Sequence, residues 1–121
     1  MNRITHFDMP AENPGRLSNF YSKVFGWKFT QWENNEYWMI TTGKGKPGIN
    51  GGMMKKQSPS HVIVNTIEVK DIDQTIKSIL ENKGEISISK REIPGVGWMA
   101  YFKDPEGLNT FGIIQMNKST K

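Results

Sequence analysis

The chain has 121 residues, with 16 lysines and arginines against 12 aspartates and glutamates, and no cysteine. That length fits one independently folding domain with enough core to need no cross-links, and the missing thiols exclude disulfides, thiolate metal sites and cysteine nucleophiles. The net charge of +4 is spread in small groups (Lys44 and Lys46, Lys55 and Lys56, and the tail from Lys118 to Lys121), which argues for solvated surface lysines and against a nucleic-acid binder.

At the N-terminus, Met1 to His6 lacks the apolar segment of a signal peptide, and no later apolar run reaches the length of a membrane span. A cytoplasmic protein without membrane attachment is expected. Ile4 to Met9 alternates as a strand should. Pro14 to Phe25 then places Leu17, Phe20, Tyr21, Val24 and Phe25 on one helical face, with Asn13 as N-cap, Pro14 in the first turn and Gly26 at the C-cap position. Trp27 to Trp32, Tyr37 to Thr42 and Ile49 to Met54 read as strands, the last two separated by the turn-rich stretch Gly43 to Gly48.

The same order then recurs. Val62 to Val69 is a strand, and Ile72, Ile76, Ile79 and Leu80 mark a helix capped by Asp71 with Gly84 past its end. Strands at Glu85 to Glu92, Trp98 to Lys103 and Asn109 to Met116 complete the second copy. The halves align at an offset of about 60 residues, which matches Trp38-Met39 with Trp98-Met99, Gly52-Met53-Met54 with Gly112-Ile113-Ile114, and Phe7-Asp8-Met9 with Ile67-Glu68-Val69. The expected class is α+β, a single domain of two βαβββ modules, at about residues 3–56 and 60–116, with a tail at 117–121.

Several segments resemble one superfamily. They are Ile4 to Arg16 followed by Phe20 to Trp27, then Asn50-Gly51-Gly52-Met53-Met54, Val69-Lys70-Asp71-Ile72-Asp73, and Gly97 to Gly112 with its Asp104-Pro105-Glu106-Gly107 turn. In this order and spacing they are similar to the vicinal oxygen chelate proteins, the superfamily of glyoxalase I, the bleomycin resistance proteins and the extradiol dioxygenases. The resemblance implies curved mixed sheets around a cleft, often completed by homodimerisation. Leu108 departs from it, since the family usually has Asn directly after the turn glycine, and this leaves the last strand's register open by one residue. The turn also makes sense alone: Asp104 can cap it, Pro105 fixes φ, and Gly107 supplies a conformation other residues resist.

The resemblance further implies four metal ligands, His or Glu, from the first and last strands of each module. Carried over, those positions are Ile4, Gly52, Val64 and Gly112, none of which offers a donor side chain. Moving the last strand by one residue brings in Phe111, which is no better. No metal and no other cofactor is therefore expected. Strand alternation instead places His6 and Asp8 on the face opposite Phe7 and Met9, and Thr66 and Glu68 on the face opposite Ile67 and Val69. At the uniform offset His6 answers to Thr66 and Asp8 to Glu68.

His6, with Glu68 or Asp8 beside it, is the candidate acid–base pair, and His6, Asp8, Thr66 and Glu68 are candidate ligand contacts. The alternatives are a water-facing sheet surface with no substrate, or a non-standard metal site of one imidazole and two carboxylates. Trp38 and Trp98 are candidates to stack on a planar ligand, or else fill the core. Trp27 and Trp32 are candidates for an oligomer contact. The Gly43 to Gly52 run lacks the following helix of a phosphate loop, so its glycines read as turn and bulge positions. Three function classes remain: a metal-free binder of a small polar organic ligand in a homodimer, a glyoxalase-related lyase or isomerase using His6, or a subunit or interaction module whose cleft is vestigial. The positive charge weighs against cationic bleomycin as the ligand.

Overall fold

The computed structural model describes residues 1–33 and 35–118, so the end of the lysine-rich tail, 119–121, lies outside them. The elements are β1 (Arg3–Ala11), α1 (Pro14–Phe25), β2 (Lys28–Gln31), β3 (Tyr37–Thr41), β4 (Gly51–Lys55), β5 (Val64–Glu68), α2 (Ile72–Glu81), β6 (Glu85–Ile93), β7 (Gly97–Lys103) and β8 (Thr110–Met116). The β-α-β-β-β order expected from the sequence thus occurs twice, and the class is α+β. No helix among the described residues is long and apolar enough to cross a membrane. The chain forms two units, His6–Val64 and residues 65–118 together with Met1–Thr5.

In the first unit the strands lie in the order β2-β3-β4-β1, with β1 parallel to β4 and the other pairs antiparallel. Helix α1 starts where Asn13 Oδ1 accepts from Arg16 N at 3.0 Å, and Pro14 fills the first turn, where no N–H is needed. It stops at Gly26, whose φ of 76° is left-handed and whose N–H donates to Ser22 O. Met9, Ala11, Ile40 and Met53 form the core, with Phe7, Leu17, Tyr21, Trp27 and Trp38 packed on it. Trp27 stacks on Tyr21 with ring centroids 5.1 Å apart.

The second unit repeats the plan, with strand order β6-β7-β8-β5 and β5 parallel to β8. Asp71 Oδ1 caps α2 by accepting from Gln74 N at 3.1 Å. Lys83 takes the left-handed turn at its end, with φ 76°. Gly84 serves a different need, close approach: a Cβ there would lie 2.6 Å from Ile79 Cγ2. Val69, Ile72, Ala100 and Ile113 form the core, flanked by Ile67, Ile76, Ile79, Trp98 and Phe102.

The ladders correct the uniform 60-residue offset. The N-caps Asn13 and Asp71 differ by 58. In the parallel ladders Asp8 pairs with Gly52 and Thr66 with Gly112, so the first strands also differ by 58 while the last differ by 60. Gly52 faces Met39 and Gly112 faces Tyr101, which sets the third strands 62 apart. The physical reason is unequal connections: β6 is longer than β2, and the last hairpin loop is shorter in the second copy. Asp8 therefore answers to Thr66 rather than Glu68, and Tyr37 to Met99 rather than Trp98 to Trp38. The register left open by Leu108 is also fixed: Leu108 is exposed in the turn, and Gly112 rather than Phe111 faces Thr66.

That turn is organised by one carboxylate. Asp104 Oδ1 accepts from Leu108 N at 3.1 Å, Oδ2 accepts from Asn109 Nδ2 at 2.8 Å, and Gly107 N donates to Asp104 O at 2.8 Å. The Asn109 side-chain N–H, helped by the turn amides, holds the carboxyl below the usual aspartate range. Because the folded value is lowered, this stabilisation is complete above the ordinary aspartate pKa of about 3.9 and disappears as pH falls through the lower folded value. A carboxyl carbon NMR titration should place the Asp104 midpoint below that of an unstructured aspartate. In Asp104→Asn the acid-induced loss of amide protection at Gly107 to Asn109 should disappear, and a midpoint at or above the ordinary value would contradict the assignment.

Candidate functional site

Strand β1 divides its side chains as a half-buried strand should. Phe7, Met9 and Ala11 belong to the α1 side core, which leaves His6 and Asp8 on the other face. There His6 Nε2 lies 3.1 Å from Asp8 Oδ1 and 3.1 Å from the Tyr37 hydroxyl, and that hydroxyl donates to Asp8 Oδ1 at 2.8 Å. The three groups close a hydrogen-bonded triangle. Its Asp8 corner is nearly buried, with 12% of the side chain exposed, while the His6 corner is 36% exposed.

The triangle fixes a tautomer. A carboxylate only accepts, so the Nε2 that meets Asp8 carries the proton. In neutral His6 the lone pair is then on Nδ1, the position of a hydrogen-bond acceptor or proton acceptor. Tyr37 is held by Trp32, whose ring meets it edge-on at 6.0 Å and whose N–H donates to Tyr37 O. Space for the phenol comes from Gly52, the β4 partner of Asp8: a Cβ there would collide with the Tyr37 hydroxyl and come within 2.7 Å of Asp8 Oδ1.

Tyr37 is the residue that sequence reading missed. The available signal was a pair of glycines inside a strand, which marks a close approach by another group. The other candidates stand elsewhere. Thr66 is 1% exposed in the second unit, and its Oγ1 has no hydrogen-bond partner among the described residues. Beside it, a Cβ on Gly112 would meet Met99 Cε at 2.8 Å and Thr66 Oγ1 at 3.1 Å. Glu68 is half-buried, and its backbone carbonyl accepts from Asn2 N at 2.7 Å. Trp38 packs on the core of the first unit, on the Phe7 side of the sheet and so away from His6 and Asp8. Trp98 packs on the core of the second, with Lys90 Nζ 4.7 Å from its ring centroid.

Comparison with known proteins decides the family. The model of the Glyoxalase/Bleomycin resistance protein/Dioxygenase superfamily matches residues 3–110. The chain belongs to this superfamily. No curated protein sequence matches it significantly. Among solved structures, hypothetical protein BH1468 from Bacillus halodurans C-125 superposes with a TM-score of 0.73 at 12% identity, over 98% of this chain and 97% of that one. Methylmalonyl-CoA epimerase from Mycobacterium tuberculosis gives 0.73 at 10% identity, over 95% and 88%. A superfamily member from Vibrio splendidus 12B01 gives 0.66 at 15% identity, over 95% and 98%. At such identities the likeness is one of fold.

Measured against the superfamily's four-ligand site, the donor set of this chain does not fit. With the first strands 58 apart, Val64 answers to His6 and not to Ile4; of that set only His6 carries a donor, Val64 is aliphatic, and the space over Gly52 and Gly112 is taken by the Tyr37 phenol and by Met99 and Tyr101. Among the described residues no three His, Asp or Glu side chains group closely enough to hold an ion. The Gly52 contact is directly testable. Gly52→Ala should cost about 1–3 kcal/mol in urea unfolding, the usual penalty of overpacking. In a Tyr37→Ala background the same change should cost much less, a coupling of about 0.5–3 kcal/mol. Gly43→Ala, where a Cβ would meet nothing within 4 Å, is the control; equal losses at positions 43 and 52 would refute the contact.

Proposed function

We propose that this superfamily member binds a small polar organic ligand at His6, Asp8 and Tyr37, as a cytoplasmic homodimer and without the four-ligand metal. The observation that carries the reading is the closed triangle with its exposed His6 corner. A ligand that offers a hydroxyl, amide or protonated carboxyl group would meet a fixed acceptor at His6 Nδ1, backed by groups that cannot reorient. Glu68, half-buried, is kept as a further ligand contact on its own module, whereas Thr66, 1% exposed, lies beneath the surface a ligand could touch. The dimer finds support in Phe20, Val24 and Phe25 of α1, each more than half exposed, an apolar strip that a second copy would cover.

The same tautomer favours a second reading, glyoxalase-related lyase or isomerase chemistry. In it His6 Nδ1 takes a proton from the carbon next to a carbonyl and returns it to the product. The methylmalonyl-CoA epimerases among the structural neighbours bring this class into consideration.

One set of experiments separates the readings. A panel of small hydroxylated and carboxylic compounds, screened by amide NMR on EDTA-treated protein, should shift residues 6–8, 37–39 and 52. Those shifts should be lost in His6→Ala and weakened about tenfold in Tyr37→Phe, as when one hydrogen bond to a charged group is removed. Hits that bind His6→Ala as well as the parent would remove the site. Sub-micromolar zinc, nickel or manganese binding that His6→Ala abolishes would overturn the metal-free reading. Turnover of the methylglyoxal–glutathione adduct that EDTA abolishes would sink the binding account, whereas turnover that survives EDTA and is lost in His6→Ala would establish the second reading.

A further inference from the structure

The loop between β3 and β4 encloses a cavity of about 160 Å³. Its walls are the bare backbone of Gly43, Gly45 and Gly48 together with Thr42, Lys44, Pro47 and Asn50. Close packing does not demand these glycines, since a Cβ at any of the three would meet nothing within 4 Å. What the run provides is exposed peptide. Among the described residues no hydrogen bond engages the N–H of Gly43, Lys44, Gly45 or Gly48.

The side chains add donors of the same kind. Asn50 Oδ1 accepts from Thr42 N at 2.9 Å, and the Thr42 hydroxyl donates to Ile49 O at 2.6 Å. The Asn50 carboxamide is thereby oriented with its oxygen committed, and its Nδ2 has no partner among the described residues. Lys44 supplies a full positive charge, and no Asp or Glu lines the cavity. Lys44 and Asn50 thus border one cavity that no acidic side chain lines, and successive backbone N–H groups in a glycine loop can hold an anion without any helix. The volume is several times the roughly 10–15 Å³ that one water needs on the same measure, which leaves room for a tetrahedral oxyanion of five heavy atoms.

We propose that the 42–50 loop binds a phosphate group, held by Lys44, Asn50 Nδ2 and the loop amides. The site is independent of the His6 triangle and stands or falls separately from it. The probe is inorganic phosphate, titrated against amide NMR spectra of the full chain with ionic strength held constant by chloride. Saturable shifts confined to residues 42–50 are expected. Lys44→Glu, and Asn50→Asp, which keeps the acceptor for Thr42 but removes the donor, should each weaken them at least about tenfold. Unchanged β3 and β4 amides verify that the variants keep the fold. A parallel titration with phenyl phosphate identifies the source: tighter binding than inorganic phosphate assigns the site to a phosphate monoester, and equal or weaker binding to the free anion. Shifts that do not saturate, or that both variants retain, would overturn the proposal.

Discussion

Asp8 is a carboxylate on a sheet strand, 9% exposed, between neighbours whose side chains lie in an apolar core. A charge so placed is tolerated only when its lone pairs are used. The Tyr37 hydroxyl and His6 Nε2 use them, both at Oδ1. Much of the local design serves that requirement. Gly52 gives up its side chain so that the phenol can reach across the ladder, and the Trp32 ring meets the phenol edge-on. The orientation of His6, and with it the position of the free lone pair, is a consequence of keeping Asp8 satisfied.

The second unit shows the same backbone solution with different chemistry. Thr66 stands where Asp8 does, Gly112 where Gly52 does, and Met99 where Tyr37 does. The glycine is again required by close approach, this time of a methionine methyl and an aromatic ring. A neutral hydroxyl needs less compensation than a carboxylate, which is why Thr66 can sit beside Met99 where Asp8 needs a tyrosine. Two copies of one architecture thus carry one polar, orientable cluster and one largely apolar one.

Much of this organisation was legible in the residues. Asn13-Pro14 and Asp71 announced both helix starts, and alternation on the first strand of each copy separated core from face correctly. The fold class followed from the element order. The pairing of residues between copies was not legible, because alignment at one offset assumes equal connections, and the hairpins differ in length. The single offset matched Trp38 to Trp98, whereas the ladder matches Trp38 to Ala100. Tyr37 escaped for a related reason: its importance lies in a contact across two strands with Gly52, and only the register reveals which residue a strand glycine is making room for.

Family membership constrains the chemistry less than the identity of the group over Gly52. Where the superfamily pattern calls for a donor on the last strand of the first module, this chain brings a phenol from the neighbouring strand. The Tyr37 hydroxyl is the donor in its contact with Asp8 Oδ1, so it spends its proton on that carboxylate. The carboxylate is thereby turned inward as a structural acceptor, and imidazole becomes the group that meets solvent. In this chain the same face carries a histidine hydrogen-bonded to a nearly buried carboxylate. What this face presents to solvent is then the His6 imidazole more than the Asp8 carboxylate behind it.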